Sequence, residues 1–215
     1  MDRRKAIKNM GLSLGYVVTT PTLISIVQSC KAENALKWTP DFFTKDEGTV
    51  ITHLVDLILP KSDTPSASEV QVDIFIDRFI DQVMKRKDQQ LLKFGMRKFI
   101  GKALADTGKK SAGGLKRDEI EAVLSTAIKI PKEAQKENDK AIENYMEALT
   151  ESTNVRLDDE VAQYAFAKEI RAMTIFGYKS SEFVGKEVMK YLPVPGAYVA
   201  CGTTEELTGG KAWSL

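Results

Sequence analysis

Val72–Met84, VDIFIDRFIDQVM, is the run that decides the fold. Val72, Phe75, Ile76, Phe79, Ile80, Val83 and Met84 recur at the i, i+3, i+4, i+7 spacing of a helix, and Asp73, Asp77, Arg78 and Asp81 take the other faces. The spacing predicts the core helix of the domain. Burying side chains of this kind is worth roughly 1.5–3 kcal/mol each, so a charge at Phe79 is expected to unfold the domain before it touches any function.

The helical period continues on both sides of this run. Upstream, Thr44 and Glu47 have the spacing of a capping box, Val50, Ile51, Leu54, Val55 and Ile58 form one apolar face, and Pro60 ends the pattern. Downstream, helices are predicted near Asp88–Asp106, from about Lys116 to just before Pro131, from Pro131 through Leu149, and from Val161 to Phe176 with Gly177 as the C-terminal cap. Gly95 and Gly101 are expected to admit a neighbouring helix at close range. No stretch alternates with a period of two and no internal repeat is present. The fold class is therefore all-α: an irregular single-domain bundle of six or seven helices with an extended Pro/aromatic C-terminal tail.

With 215 residues and 43% hydrophobic content, one core plus a removable or anchoring segment is the default. Lys and Arg are interleaved with Glu and Asp along the helical patterns, the arrangement of solvated helix faces, which argues against a DNA- or RNA-binding surface. His53 is the only histidine and lies away from any Cys or acidic cluster with metal spacing, so it reads as a surface or locally bonded residue. Asp63 and Thr64 read as turn residues, and the pairs Asp46-Glu47 and Asp158-Asp159 sit at helix starts, where they favour the dipole. Lys109–Gly114 contains Gly-Gly but neither GxxxxGKS/T nor GxGxxG, and reads as a surface loop; HExxH and CxxCH are missing too, and Ser180-Ser181 has no nearby base.

Residues 1–29 have a basic start, with Arg3, Arg4, Lys5 and Lys8, then an apolar run from Met10 to Val27 interrupted by Gly11, Gly15 and Pro21. This is the pattern of an export signal rather than a permanent span, and its removal leaves a net charge of about −2. Arg3-Arg4 resembles the twin-arginine pattern, with Ala6 where that pattern prefers a bulky side chain. Val27-Gln28-Ser29-Cys30 resembles a lipobox, which makes Cys30 the expected lipidation site and residues 30–38 a polar tether. The competing reading pairs Cys30 with Cys201 in a disulfide; if Cys30 carries lipid, Cys201 is expected to be a lone buried thiol.

The tail, residues 177–215, reads as a docking surface. Prolines at 193 and 195 push the preceding residues out of the helical basin, and Gly196 permits a turn, so Tyr191, Tyr198 and the downstream Trp213 stand on a semi-rigid frame that loses little entropy on binding. Tyr191, Pro193, Pro195, Gly196, Tyr198 and Cys201, followed by Gly210 and Trp213, resemble the closing motif of the gluconate 2-dehydrogenase subunit 3 family, as do Leu57-Ile58-Leu59-Pro60 with Asp63-Thr64-Pro65 and the export signal. Proteins of that family are small accessory subunits of membrane-associated, FAD-dependent sugar and sugar-acid dehydrogenases and carry no flavin or haem of their own. The resemblance implies a non-catalytic subunit with no cofactor in this chain. It would bind a large flavoprotein subunit, assist its folding, export or membrane attachment, and work beside a cytochrome subunit that holds haem. The expected partner interface is Tyr191, Pro193, Pro195, Gly196, Tyr198 and Trp213, and the expected location is periplasmic or cell-envelope, anchored through Cys30. The alternative is a free-standing envelope lipoprotein with a ligand-binding or structural role.

Overall fold

The computed structural model describes residues 36–151, 156–191, 199 and 201–214. Its helices are α1 (Lys45–Ile58), α2 (Val72–Gln82), α3 (Arg86–Thr107), α4 (Arg117–Ile128), α5 (Lys132–Glu151), α6 (Asp159–Ser180) and the short α7 (Thr204–Thr208), with a 3-10 turn at Ala112–Gly114 and a π-helical turn at Val184–Val188. No strand occurs among the described residues, as the all-α reading expects. Residues Trp38–Leu215 form one compact unit; of the preceding unit, Met1–Lys37, only Leu36 and Lys37 are described.

Local signals set the helix ends. Thr44 Oγ1 accepts from the Glu47 amide at 3.3 Å while the Glu47 carboxylate accepts from the Thr44 amide at 2.8 Å, a complete capping box. Asp158 caps α6 by accepting from the amides of Glu160 and Val161. The bundle is organised around α6, which touches α1 to α5 and the π turn. Its most extensive seam is with α3, where Phe99 and Phe166 pack with ring centroids 5.3 Å apart in a fully buried layer. Gly95 lies on this seam: a Cβ there would stand 2.4 Å from the Ala162 carbonyl oxygen, so the expected close approach is real at Gly95, while a Cβ on Gly101 would meet nothing within 4 Å. Gly177 is not the C-terminal cap: α6 runs on to Ser180, and a Cβ on Gly177 would lie 2.6 Å from the Phe75 ring.

The core helix α2 forms where expected but turned about its axis. Asp73 and Asp77, assigned to the outer faces by spacing, are 4% and 1% exposed, while Phe75 and Phe79 are only partly buried and Val83 is 64% exposed. At about 100° per residue, Val72, Ile76, Ile80, Asp73 and Asp77 fill one face, and Phe75 and Phe79 fall at its margin. The reason lies in the segment before α1. Asp77 accepts backbone N–H groups from Asp41, Phe42 and Phe43 at 2.7, 3.1 and 3.0 Å, and Asp73 accepts from Trp38 Nε1 at 3.0 Å and from the Thr52 hydroxyl at 2.7 Å. Satisfying these donors fixes which side of α2 faces in. Trp38, placed at the end of the tether by the sequence, packs against the core.

Burial pushes the Asp73 carboxyl above its ordinary value of 3.8, with Thr52, the Ile74 amide and Trp38 offsetting part of the effect. The folded chain therefore holds more protons than the unfolded chain in that window, so this contribution to stability is present at acid pH and is lost as pH rises from 3.8 through the folded value. Asp73→Asn does not ionise. The melting temperature of the variant minus that of the wild type is expected to increase between about pH 4 and pH 7. A difference that stays flat over that range would show that Asp73 titrates in the fold as it does in the unfolded chain, and one that falls would show that the fold favours its ionised form.

His53 is half-buried, not a surface side chain: burial and Arg117 lower its pKa against an opposing effect of Asp56, and its enclosed Nε2 has no hydrogen-bond partner among the described residues. Cys201 is exposed, contrary to the buried thiol expected.

Candidate docking groove

The turn of α2 that brings its carboxylates inward leaves the other edge of its apolar stripe facing out. Phe75 and Phe79, with ring centroids 5.7 Å apart, meet Phe176 from the end of α6 at 5.9 and 6.4 Å. Glycine at 177 lets the Phe75 ring sit against the α6 backbone, and Tyr178 ties the same end of α6 to the loop before α2 by donating to the Pro65 carbonyl at 2.9 Å. The chain then turns at Ser181 towards the π segment, and Phe183, just ahead of that segment, joins the lining. The result is an open groove of about 1090 Å³ with Phe75, Phe79, Val83, Gly177 and Phe183 among its lining residues. Phe176 and Phe183 are 49% and 50% exposed. A second cleft of about 690 Å³ shares Phe79 and Val83 and continues over Leu91, Leu92, Ile142 and Ala165.

The floor is apolar and the rim is charged. Lys186 pairs with Glu182 at 2.5 Å, Lys61 with Glu69 at 2.6 Å, and Arg78 with Asp41 at 3.8 Å. The Lys186 hydrogen bond holds the Glu182 carboxyl below the usual range, and the same bond holds the Lys186 amine above its own. Gln71, which also lines the groove, precedes α2 with φ 61 and ψ 31, a left-handed conformation that a non-glycine residue adopts at some cost.

Two of the aromatic residues expected at an interface lie beside this groove. Tyr191 directly follows Lys190, and Trp213 is bridged in parallel to Lys190: the Lys190 amide donates to the Ala212 carbonyl at 2.8 Å and the Ser214 amide to the Lys190 carbonyl at 2.9 Å. Lys211 Nζ adds a bond of 3.0 Å to the Glu187 carbonyl. Tyr191 and Trp213 are each 47% exposed. Pro193, Pro195, Gly196 and Tyr198 lie outside the described residues, as do Arg3, Arg4 and Cys30. Sequence reading missed Phe75, Phe79, Val83, Phe176 and Phe183 as a surface. The available signal was an apolar stripe on α2 wide enough to serve two neighbours.

Among the described residues no group of three or more His, Cys, Asp or Glu side chains is placed to hold a metal ion, and no helix is long and apolar enough to cross a membrane. The model of the family described as gluconate 2-dehydrogenase subunit 3 matches residues 45–196. The chain belongs to that family. The match takes in α1 to α6 and the π turn, and with them the Leu57–Pro65 region and Tyr191, Pro193, Pro195 and Gly196 of the tail; the signal, Tyr198, Cys201, Gly210 and Trp213, on which the resemblance read from the sequence also rested, lie outside the matched span. The family is by its name a subunit of a gluconate dehydrogenase. Comparison with curated proteins and with solved structures gives no match.

Proposed function

We propose that this chain is the non-catalytic small subunit of an exported, FAD-dependent sugar or sugar-acid dehydrogenase of the gluconate 2-dehydrogenase kind. It binds the large flavoprotein subunit and assists its folding, export or membrane attachment. The observation that carries the reading is the family match across residues 45–196. In this reading Arg3 and Arg4 begin the export signal, lipidated Cys30 anchors the body to the envelope membrane, and the signal carries a folded flavoprotein that the chain has already bound in the cytoplasm. Flavin chemistry belongs to the partner, and electrons leave through a haem-bearing cytochrome subunit. Tyr191, Pro193, Pro195, Gly196, Tyr198 and Trp213 contribute to the interface. Aromatic residues that stand half out of a folded body are the usual anchors of such contacts.

The test is purification of the tagged full chain from its native membranes in mild detergent, with the absorbance spectrum and the co-purifying polypeptides read together. The expected result is a stoichiometric large flavoprotein with dye-reducing activity towards a sugar or sugar acid. Truncating an interface hot spot typically removes about 2 kcal/mol or more of binding, so Trp213→Ala or Tyr198→Ala should lower recovery of that flavoprotein by about thirtyfold. A lone, colourless lipoprotein would instead identify a free-standing envelope protein.

A further inference from the structure

We infer that the groove between α2 and the end of α6 is the seat of an uncharged, apolar segment of the large flavoprotein subunit. This rests on the accessory-subunit reading and extends its interface from the tail onto the body. Phe176 stands half-exposed against the lining residues Phe75 and Phe79, Phe183 is a half-exposed lining residue, and Val83 continues the surface at the end of α2. Apolar side chains gathered this way on one side of a soluble body mark a contact site rather than a scatter of surface residues.

The charges at the mouth select the class of occupant. Lys186, Lys61 and Arg78 each hold a carboxylate of this same chain, Glu182, Glu69 and Asp41. An anionic lipid surface is recognised by lysines and arginines left for the headgroups, each contributing about 1 kcal/mol, and an acidic peptide by the same means. Here each of those cations faces a carboxylate of this chain and Glu187 adds a further carboxylate to the lining, so no basic charge is in excess for an anionic partner and the complementary surface is apolar and not acidic. The groove also continues towards the tail, since Lys211 donates to the carbonyl of the lining residue Glu187 and Lys190, next to Tyr191, is bridged to Trp213. Groove and tail aromatics thus present one side to one partner.

The experiment places the photo-reactive residue p-benzoylphenylalanine at Phe176, at Phe183 and, as a control on α4 outside the groove, at Glu121 in the full-length tagged chain. Native membranes are irradiated and the cross-linked peptides identified by mass spectrometry. Both groove positions are expected to join the same flavin-bearing polypeptide at an apolar stretch, with none from Glu121. The double variant Phe176→Ser, Phe183→Ser, checked for folding by its melting curve, should lower flavoprotein recovery at least about tenfold. Raising salt to about 0.5 M should change wild-type recovery by less than about twofold. If the flavoprotein co-purifies but the groove positions cross-link to lipid, to a second copy of this chain or to nothing, the groove inference is overturned and the accessory-subunit reading stands. If the wild-type chain emerges alone and colourless, that reading falls and the groove assignment falls with it.

Discussion

Asp77→Ala is expected to destabilise the protein by about 3–4 kcal/mol, because it removes one buried carboxylate and leaves three backbone donors, from Asp41, Phe42 and Phe43, without an acceptor. For a body of this size that corresponds to a fall of roughly 6–16 °C in melting temperature. Asp77→Asn retains one acceptor oxygen but loses the charge and the second oxygen, so it should recover part of the loss. The effect is local in origin and global in reach. The Asp77 bonds hold the turn that leads into the Thr44 cap, and from α1 the Glu47 carboxylate reaches Lys93 of α3 at 2.7 Å. Thermal unfolding by circular dichroism measures this directly, and a loss below about 1 kcal/mol would mean that water replaces the carboxylate at those amides.

The second large effect is a pair of identical substitutions with opposite signs. Gly95→Ala puts a methyl group 2.4 Å from the Ala162 carbonyl oxygen and 2.9 Å from Phe166 Cβ, contacts that only a separation of α3 from α6 relieves. Overpacking of that kind costs about 3 kcal/mol, or roughly 6–12 °C. Gly101→Ala lies six residues further along the same helix, where the added methyl meets nothing within 4 Å. There alanine gains the helix propensity that glycine lacks, about 0.5–1 kcal/mol, and the melting temperature should rise by a few degrees. If both variants melted lower, the seam argument would lose its contrast and a general intolerance of α3 to change would take its place.

The sequence disclosed what local rules govern. The apolar period located α1 to α6 to within a few residues, Thr44 with Glu47 announced the first cap, and Asp158 announced the last long helix. It misassigned what distant partners govern. Asp73 and Asp77 look solvent-facing because a period counts them as polar, yet apart from Thr52 their distant donors come from Trp38 to Phe43, a segment with no pattern of its own. Once those two residues face inward, Phe75 and Phe79 must move to the margin, so the groove was hidden by the same misreading. Gly177 followed suit: near a helix end a glycine suggests a cap, and only the arrival of Phe75 from another helix shows that it makes room instead. A charge at Phe79 would accordingly strike a groove wall as well as the core. Of the aromatic residues read from the tail, Tyr191 and Trp213 are exposed, since exposure of a residue after a helix end needs no tertiary information.

The strap Trp38–Phe43 has a mechanical consequence. A pull on the chain ahead of Trp38 reaches first the Trp38–Asp73 bond and then three amide bonds converging on Asp77, all of them made to α2. The load is passed sideways into the middle of the bundle and does not peel α1 away from its N-terminal end, where the capping box would open one bond at a time. Tension on the upstream segment is thus shared among several bonds at once, and the first helix is shielded from it.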